Sequence, residues 1–78
     1  MTVEIKGYSR ALDMSESIVC DYADVTVKET KMRNGGTKRQ IRIQPEGVKR
    51  AKVFADGVFS TIIMCEATTG RRMLTWET

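Results

Sequence analysis

Residues 24–44, DVTVKETKMRNGGTKRQIRIQ, decide the fold, because alternating β-branched residues run into Asn34-Gly35-Gly36 and then alternate out again. An Asn-Gly pair between two such runs is one of the strongest short-range signals of a β-hairpin. A two-residue loop, Asn34-Gly35, would mix apolar and charged groups on both faces of the ribbon. A three-residue loop that also includes Gly36 separates them, with Gly36 supplying the positive φ of a bulge.

This register predicts one apolar face and one basic face. On the apolar face Val27 lies opposite Ile43 and Glu29 lies opposite Ile41, so that Val27 and Ile43 face the core together. The basic face carries the cross-strand pairs Lys28 with Arg42, Thr26 with Gln44, Thr30 with Gln40, and Met32 with Lys38. Like charges opposite one another are destabilising unless something negative lies between them, so the basic face predicts an anionic partner.

Composition indicates one small folded domain, residues 1–78. Hydrophobic residues make up 41% of the chain and charged residues 29%, which is ordinary for a globular protein and unlike a disordered one. The net charge of +3 comes from 13 basic and 10 acidic residues. That excess permits a nucleic acid or an acidic protein as partner without requiring either.

The N-terminal half contains two further strand signals. Residues 2–8 alternate, with Val3 and Ile5 on one side, and predict a half-exposed first strand. Residues 9–17 are polar enough to be a connection, and an apolar run begins at Ile18. The apolar parity changes over residues 21–24, which predicts a bulge or break before the hairpin.

The segment after Pro45 is ambiguous between helix and strand. Val48, Ala51 and Ala55 recur at helical spacing, and Asp56-Gly57 would end a helix well. Asp56-Gly57 is also a two-residue hairpin turn, which would set Phe54 opposite Phe59 as a cross-strand pair. The pattern favours a strand, with a short helix over 46–55 as the alternative.

The C-terminal segment predicts a second hairpin, closed by a loop over residues 68–70. This register gives one complementary charge pair and two apolar pairs: Glu66 with Arg72, Met64 with Leu74, and Ile62 with Trp76. The reverse face is also largely apolar, so we expect this hairpin at the centre of the domain.

The elements add up to five or six short strands joined by tight turns. This number and spacing predict a mainly β fold, a small antiparallel barrel or sandwich that is SH3-like or OB-like in architecture. The alternative is an α+β fold, an antiparallel sheet with one short helix over 46–55.

Catalytic and metal chemistry find little support in the sequence. Histidine is absent, which removes the usual base for a serine or cysteine nucleophile. Cys20 and Cys65 lie in apolar runs typical of buried free thiols, and two cysteines alone do not complete a zinc site. We therefore expect no enzyme, no cofactor and no metal.

The chain also lacks the sequence signals of membrane and export. No apolar run approaches the ~20 residues that span a bilayer, and the first residues contain no apolar signal segment. We expect no membrane association and a cytoplasmic setting.

The basic residues of the first hairpin and of the segment after it predict a nucleic-acid-binding module, with DNA or RNA as partner. The predicted site consists of Lys28, Lys31, Arg33, Lys38, Arg39, Arg42, Lys49 and Arg50. Each phosphate contact would add salt-sensitive affinity, and a hairpin arm can lie along a backbone or enter a groove. Lysines on long hairpins also guard sheet edges, which is the alternative role for the same residues.

The competing function is protein binding. A small domain without a catalytic site can add a strand to a partner, form a homodimer, or block another protein, as small inhibitors and accessory proteins of mobile elements do. Met32 beside basic residues suits an adaptable contact surface. The apolar side chains on both faces of the last hairpin also favour protein binding.

Overall fold

The chain forms seven β-strands and one turn of 3-10 helix in a computed structural model, which describes residues 1–78. The strands are β1 (Thr2–Ser9), β2 (Met14–Asp21), β3 (Val25–Lys31), β4 (Thr37–Ile43), β5 (Lys52–Ala55), β6 (Thr61–Glu66) and β7 (Arg72–Glu77). The 3-10 turn, Tyr22–Asp24, lies between β2 and β3. The structure contains no helix of the length and apolarity needed to cross a membrane.

The strands form two antiparallel sheets. Sheet A has four strands in the order β2-β1-β6-β7, and sheet B has three in the order β3-β4-β5. The prediction of a mainly β, sandwich-like fold is confirmed, with seven strands instead of five or six. The two sheets do not close into one barrel. The alternative of a helix over 46–55 is wrong, because this segment is a loop followed by the short strand β5.

Both sheets contribute to one hydrophobic core, which explains the alternation along their strands. Val3 and Ile5 of β1 are fully buried, as the alternation of residues 2–8 predicts. The complete core consists of Val3, Ile5, Ile41, Ile43, Phe54, Phe59, Ile62, Met64 and Trp76. Strands β1, β6 and β7 supply one side of it, and β4 and β5 supply the other.

Two phenylalanine rings fill the space above Gly7 of β1. The ring centroids of Phe54 and Phe59 lie 5.2 Å apart at an angle of 30°. A Cβ atom on Gly7 would lie 2.6 Å from Cδ1 of Phe59 and 2.8 Å from Cδ2 of Phe54. Glycine is therefore required here for close approach, and it lets β1 pack directly under both rings.

The β1–β2 connection is shorter than the sequence predicts. Only residues 10–13 form the turn, and β2 already begins at Met14, within the predicted connection over 9–17. Asp13 adopts a positive φ of 48° in this turn. The break over 21–24 is confirmed, since the 3-10 turn lies there and Asp21 accepts a hydrogen bond from the Ala23 N–H.

The predicted register of the β3–β4 hairpin is wrong by two residues. Val27 pairs with Ile41 and Val25 with Ile43, while Lys28 lies opposite Gln40 instead of Arg42. Val27 lies on the same face as Ile43, but it is 40% exposed and is not part of the core. The observed register sets Glu29 opposite Arg39, whose guanidinium pairs with Asp56 instead.

The loop itself has three residues, as predicted, but begins one residue earlier, at Arg33. The Met32 N–H donates to the Gly36 carbonyl at 2.8 Å, which closes the loop around residues 33–35. Gly35, not Gly36, has the positive φ, at 86°. The Asn34 side chain accepts a hydrogen bond from the Gly36 N–H. Placing the left-handed residue directly after Asn34 shifts the whole register.

The turn after β5 does not form the predicted hairpin. β5 pairs with β4, and β6 belongs to the other sheet, so residues 56–60 carry the chain from sheet B to sheet A. The expected contact between Phe54 and Phe59 does form, but between the sheets and not across a two-stranded ribbon.

The C-terminal hairpin keeps two of its three predicted pairs. Ile62 pairs with Trp76 and Met64 with Leu74. A register shift after Met64 then sets Cys65 opposite Arg72, so the predicted pair of Glu66 with Arg72 does not form. β6 is an inner strand of sheet A, whereas β7 is an edge strand, so only half of this hairpin is central.

Gly7→Ala should destabilise the fold, because its Cβ would overlap both phenylalanine rings. We expect a loss of about 1–3 kcal/mol in the free energy of unfolding, measured by urea denaturation with Trp76 fluorescence as the signal. Gly57→Ala is the matched control, since no atom lies within 4 Å of its Cβ position. Equal stability of the two variants would contradict the packing described above.

Candidate nucleic-acid interface

The outer face of sheet B, which points away from the core, is polar and basic. Its strand residues follow from the register: Thr26, Lys28 and Thr30 of β3, Lys38, Gln40 and Arg42 of β4, and Val53 and Ala55 of β5. Three of these side chains are basic and none is acidic. The two-residue shift in register is an even number, so each of these side chains keeps its predicted face.

A shallow groove of about 350 Å³ lies on this face. It is lined by Lys28, Thr30, Lys38 and Gln40. The two lysines supply positive charge, and the hydroxyl and amide groups supply hydrogen-bond donors. This combination of groups can bind the oxygens of a phosphate.

The three basic groups form a triangle across two strands. Lys28 lies diagonally between Lys38 and Arg42, with backbone separations of about 7–8 Å to each. Lys38 and Arg42 lie four residues apart on β4, or roughly 14 Å. No two of them are directly opposite one another, so the predicted opposition of Lys28 and Arg42 is replaced by a more even spread of charge.

Hydrogen bonds tie the loop after β4 to the edge of the same face. The Arg42 guanidinium donates to the Gln44 side chain, whose amide donates in turn to the Val48 carbonyl. Lys49 and Arg50 follow directly and are exposed. Lys49 and Arg50 therefore lie in the loop that is tied to the Arg42 end of this face.

Lys31 and Arg33 lie at the other end, where the β3–β4 hairpin leaves the sandwich. Lys31 ends β3 opposite Thr37, on the face away from Lys28 and Lys38. Arg33 lies in the loop, and both residues are exposed. Neither has a carboxylate within ion-pair distance.

Arg39 belongs to the predicted site but is engaged within the fold. Its Nε donates to Asp56 Oδ2 at 2.8 Å, and its Nη2 donates to the Glu77 carbonyl at 3.3 Å. The guanidinium lies 5.2 Å from the centroid of the Trp76 ring. The Arg39 side chain is only 24% exposed. It links β4 to β7 and is not part of the exposed basic surface.

Lys52 forms a similar link at the other rim of the sandwich. Its ammonium group binds the Glu16 carboxylate of β2 and lies 5.4 Å from the centroid of the Phe54 ring. Together with Arg39 it joins the two sheets, so these two cations contribute to the fold and not to the outer face of sheet B.

The cysteines are half-buried free thiols on opposite faces of sheet A. Cys20 lies beside Val3, on the core side, and Cys65 lies beside Glu4, on the outer side. Burial, and then the carboxylates of Asp24 and Asp21, raise the pKa of the Cys20 thiol. Cys20 therefore stays protonated and poorly nucleophilic at neutral pH. No group of three or more His, Cys, Asp or Glu side chains is placed to hold a metal ion.

The structure therefore divides the eight predicted residues into three groups. Lys28, Lys38 and Arg42 share one face, Lys31, Arg33, Lys49 and Arg50 lie in segments at its ends, and Arg39 is withdrawn. Thr30 and Gln40 line the groove but were not among the predicted site residues. Strand alternation in the sequence already places both of them on the same face as Lys28, so they could have been included in the predicted site.

No protein-family model, curated protein or solved structure matches this chain.

Arg39→Ala should destabilise the protein, because it leaves the partly buried Asp56 carboxylate unpaired and uncovers Trp76. We expect a loss of about 1–2 kcal/mol in the free energy of unfolding, against less than about 0.5 kcal/mol for the exposed control Lys49→Ala. In a double-mutant cycle, Asp56→Ala should cost less in the Arg39→Ala background. A stable Arg39→Ala variant that binds oligonucleotides more weakly would instead make Arg39 a binding residue.

Proposed function

We propose that this protein is a non-enzymatic nucleic-acid-binding module that uses the outer face of sheet B. One observation carries the proposal: Lys28, Lys38 and Arg42 share the outer face of sheet B, and no strand residue on that face is acidic. An unopposed cluster of cations attracts a polyanion, and each phosphate that it neutralises releases counterions.

The groups around the three cations suit phosphodiester oxygens. Thr30 and Gln40 line the groove between Lys28 and Lys38 and offer neutral donors. Protein contacts to nucleic-acid backbones are made by this mixture of lysine, arginine, hydroxyl and amide groups. Lys49 and Arg50 would add contacts at the Arg42 end, since their loop is tied to Arg42 through Gln44.

The same features favour binding over catalysis. Two acidic side chains beside sheet B are engaged: Asp56 pairs with Arg39, and Glu16 pairs with Lys52. Glu29 of β3 lies on the face opposite Lys28 and Lys38. The face itself offers lysine, arginine, threonine and glutamine but no paired base and nucleophile. Its chemistry is that of electrostatic contact.

Lys28→Glu with Arg42→Glu should abolish binding and leave the fold nearly intact, because both side chains are exposed. We expect the affinity for a fluorescein-labelled oligonucleotide, measured by anisotropy at low salt, to fall by at least about 10-fold. For the wild type, the logarithm of the affinity should fall linearly with the logarithm of salt concentration.

The matched control is Arg71→Glu with Arg72→Glu, which makes the same change in net charge at the exposed end of the β6–β7 hairpin. Its affinity should fall by less than about 3-fold if position, and not net charge, governs binding. Equal losses in the two double variants would assign the binding to net charge alone. Absence of binding by the wild type at low salt would end the proposal.

A second candidate function is association through a sheet edge, because β2 is a long edge strand without lysine. β2 is the outermost strand of sheet A and spans eight residues. Its charged residues are Glu16, which pairs with Lys52, and Asp21, which accepts the Ala23 N–H. Unlike β3, it carries no lysine. A long edge without lysine is open to pairing with another strand, and we propose that a second copy of this chain supplies it.

Val19→Lys should prevent this self-association, because a lysine in the middle of the exposed edge strand opposes pairing. The wild type would elute with twice the monomer mass of 8.8 kDa in size-exclusion chromatography with light scattering, and the variant as a monomer. Val58→Lys is the control, since both valines are 60% exposed and Val58 lies outside the strands. A monomeric wild type at high concentration would exclude this association.

A further inference from the structure

The end of the β3–β4 hairpin extends from the sandwich as a two-stranded arm. We define the arm as residues 28–38. β5 pairs with β4 only over residues 40–43, so residues 37 and 38 of β4 and their partners on β3 have no third strand beside them. Every residue from 28 to 38 is exposed, on both faces of the ribbon. The outer part of the arm is held by its own ladder alone, in which Thr30 pairs with Lys38 and Lys31 with Thr37.

Cations lie on both faces of the arm and at its tip. Lys28 and Lys38 point from the outer face, Lys31 points from the opposite face, and Arg33 lies at the tip. Glu29, the one acidic residue of the arm, lies on the same face as Lys31. A flat contact with a backbone would use a single face. Cations on both faces and at the tip suit a ribbon that has phosphates on both sides.

The positions of the aromatic residues disfavour a single strand as the ligand. Proteins that bind single strands stack bases on exposed aromatic rings. Phe54, Phe59 and Trp76 are buried in the core. Tyr8 lies in β1 of sheet A, where its hydroxyl donates to Asp13, and Tyr22 lies in the 3-10 turn. Neither the arm nor the outer face of sheet B carries an aromatic side chain.

The dimensions of the arm match one groove of double-stranded DNA. Two paired strands lie about 5 Å apart, and the arm extends roughly 17 Å from Lys28 to Arg33. The major groove of B-form DNA is about 12 Å wide and about 8.5 Å deep and admits a two-stranded ribbon. The major groove of duplex RNA is deep and narrow, and side chains do not read it.

We infer that the β3–β4 arm enters the major groove of double-stranded DNA, with Lys28 and Lys38 directed to the phosphates on one side and Lys31 to those on the other. This inference rests on the proposed function and specifies its ligand. The arm provides no bidentate arginine on its faces, so contact with the backbone dominates, and the affinity varies little with base sequence.

The first test compares three probes by fluorescence anisotropy at one salt concentration: a 16-base-pair DNA duplex, the RNA duplex of the same sequence, and one DNA strand. We expect the DNA duplex to bind at least about 10-fold more tightly than the other two. Methyl green, which occupies the major groove, should compete, and netropsin, which occupies the minor groove, should not. The emission of buried Trp76 should stay unchanged on binding.

The second test uses Lys31→Ala with Arg33→Ala, against the control Arg71→Ala with Arg72→Ala. Insertion of the arm predicts about a 10-fold loss of duplex affinity and a salt slope lower by about 2 for the arm variant. The control should change neither. An unaffected arm variant would overturn insertion, because Lys31 contacts a phosphate only if both faces of the arm are covered.

The outcomes separate this inference from the function on which it rests. Equal binding of the three probes, or competition by netropsin alone, would overturn insertion into the major groove, while the loss caused by Lys28→Glu with Arg42→Glu would still support binding through the outer face of sheet B. Failure to bind any of the three probes would overturn both. Tight duplex binding together with the loss in the arm variant would establish the inference.

Discussion

The packing of Phe54 and Phe59 over Gly7 is the contact on which the rest of the structure depends. Phe54 comes from sheet B, Phe59 from the segment that crosses between the sheets, and Gly7 from sheet A. A side chain at position 7 would force the rings to shift, because its Cβ would lie less than 3 Å from both of them. This contact holds the two sheets close together, while strand alternation determines which residues of β4 are buried and which point outward.

At this distance between the sheets, two cations connect one sheet to the other. Arg39 reaches Asp56 and the Glu77 carbonyl across one rim, and Lys52 reaches Glu16 across the other. Each cation also lies against a core aromatic ring, which contributes beyond the ion pair itself. These links use basic residues that the sequence does not distinguish from their neighbours, and they leave the outer face of sheet B with cations that have no acidic partner.

The sequence predicts those features that local chemistry determines. Alternation identified β1, and two apolar pairs identified the register of β6 with β7 near Ile62. The sequence did not predict those features that depend on contacts between residues far apart in the chain. Nothing in the alternation shows that Arg39 would meet Asp56, 17 residues away. The contact of Phe54 with Phe59 was predicted, but not that Phe59 would make it from the segment that crosses between the sheets. The helical spacing over 46–55 did not produce a helix, because residues 52–55 pair with β4 as strand β5, which buries Phe54.

The error in the β3–β4 register shows why the binding face was predictable although its pairs were not. Register is fixed strongly where one face is buried, and the arm buries neither face, so the left-handed conformation of Gly35 decides the register instead. A shift of two residues changes every partner but moves no side chain to the other face. Lys28, Lys38 and Arg42 therefore stay together in either register. Strand alternation alone places these cations on one face. The loop determines the register, and the register determines the distances from Lys28 to Lys38 and Arg42.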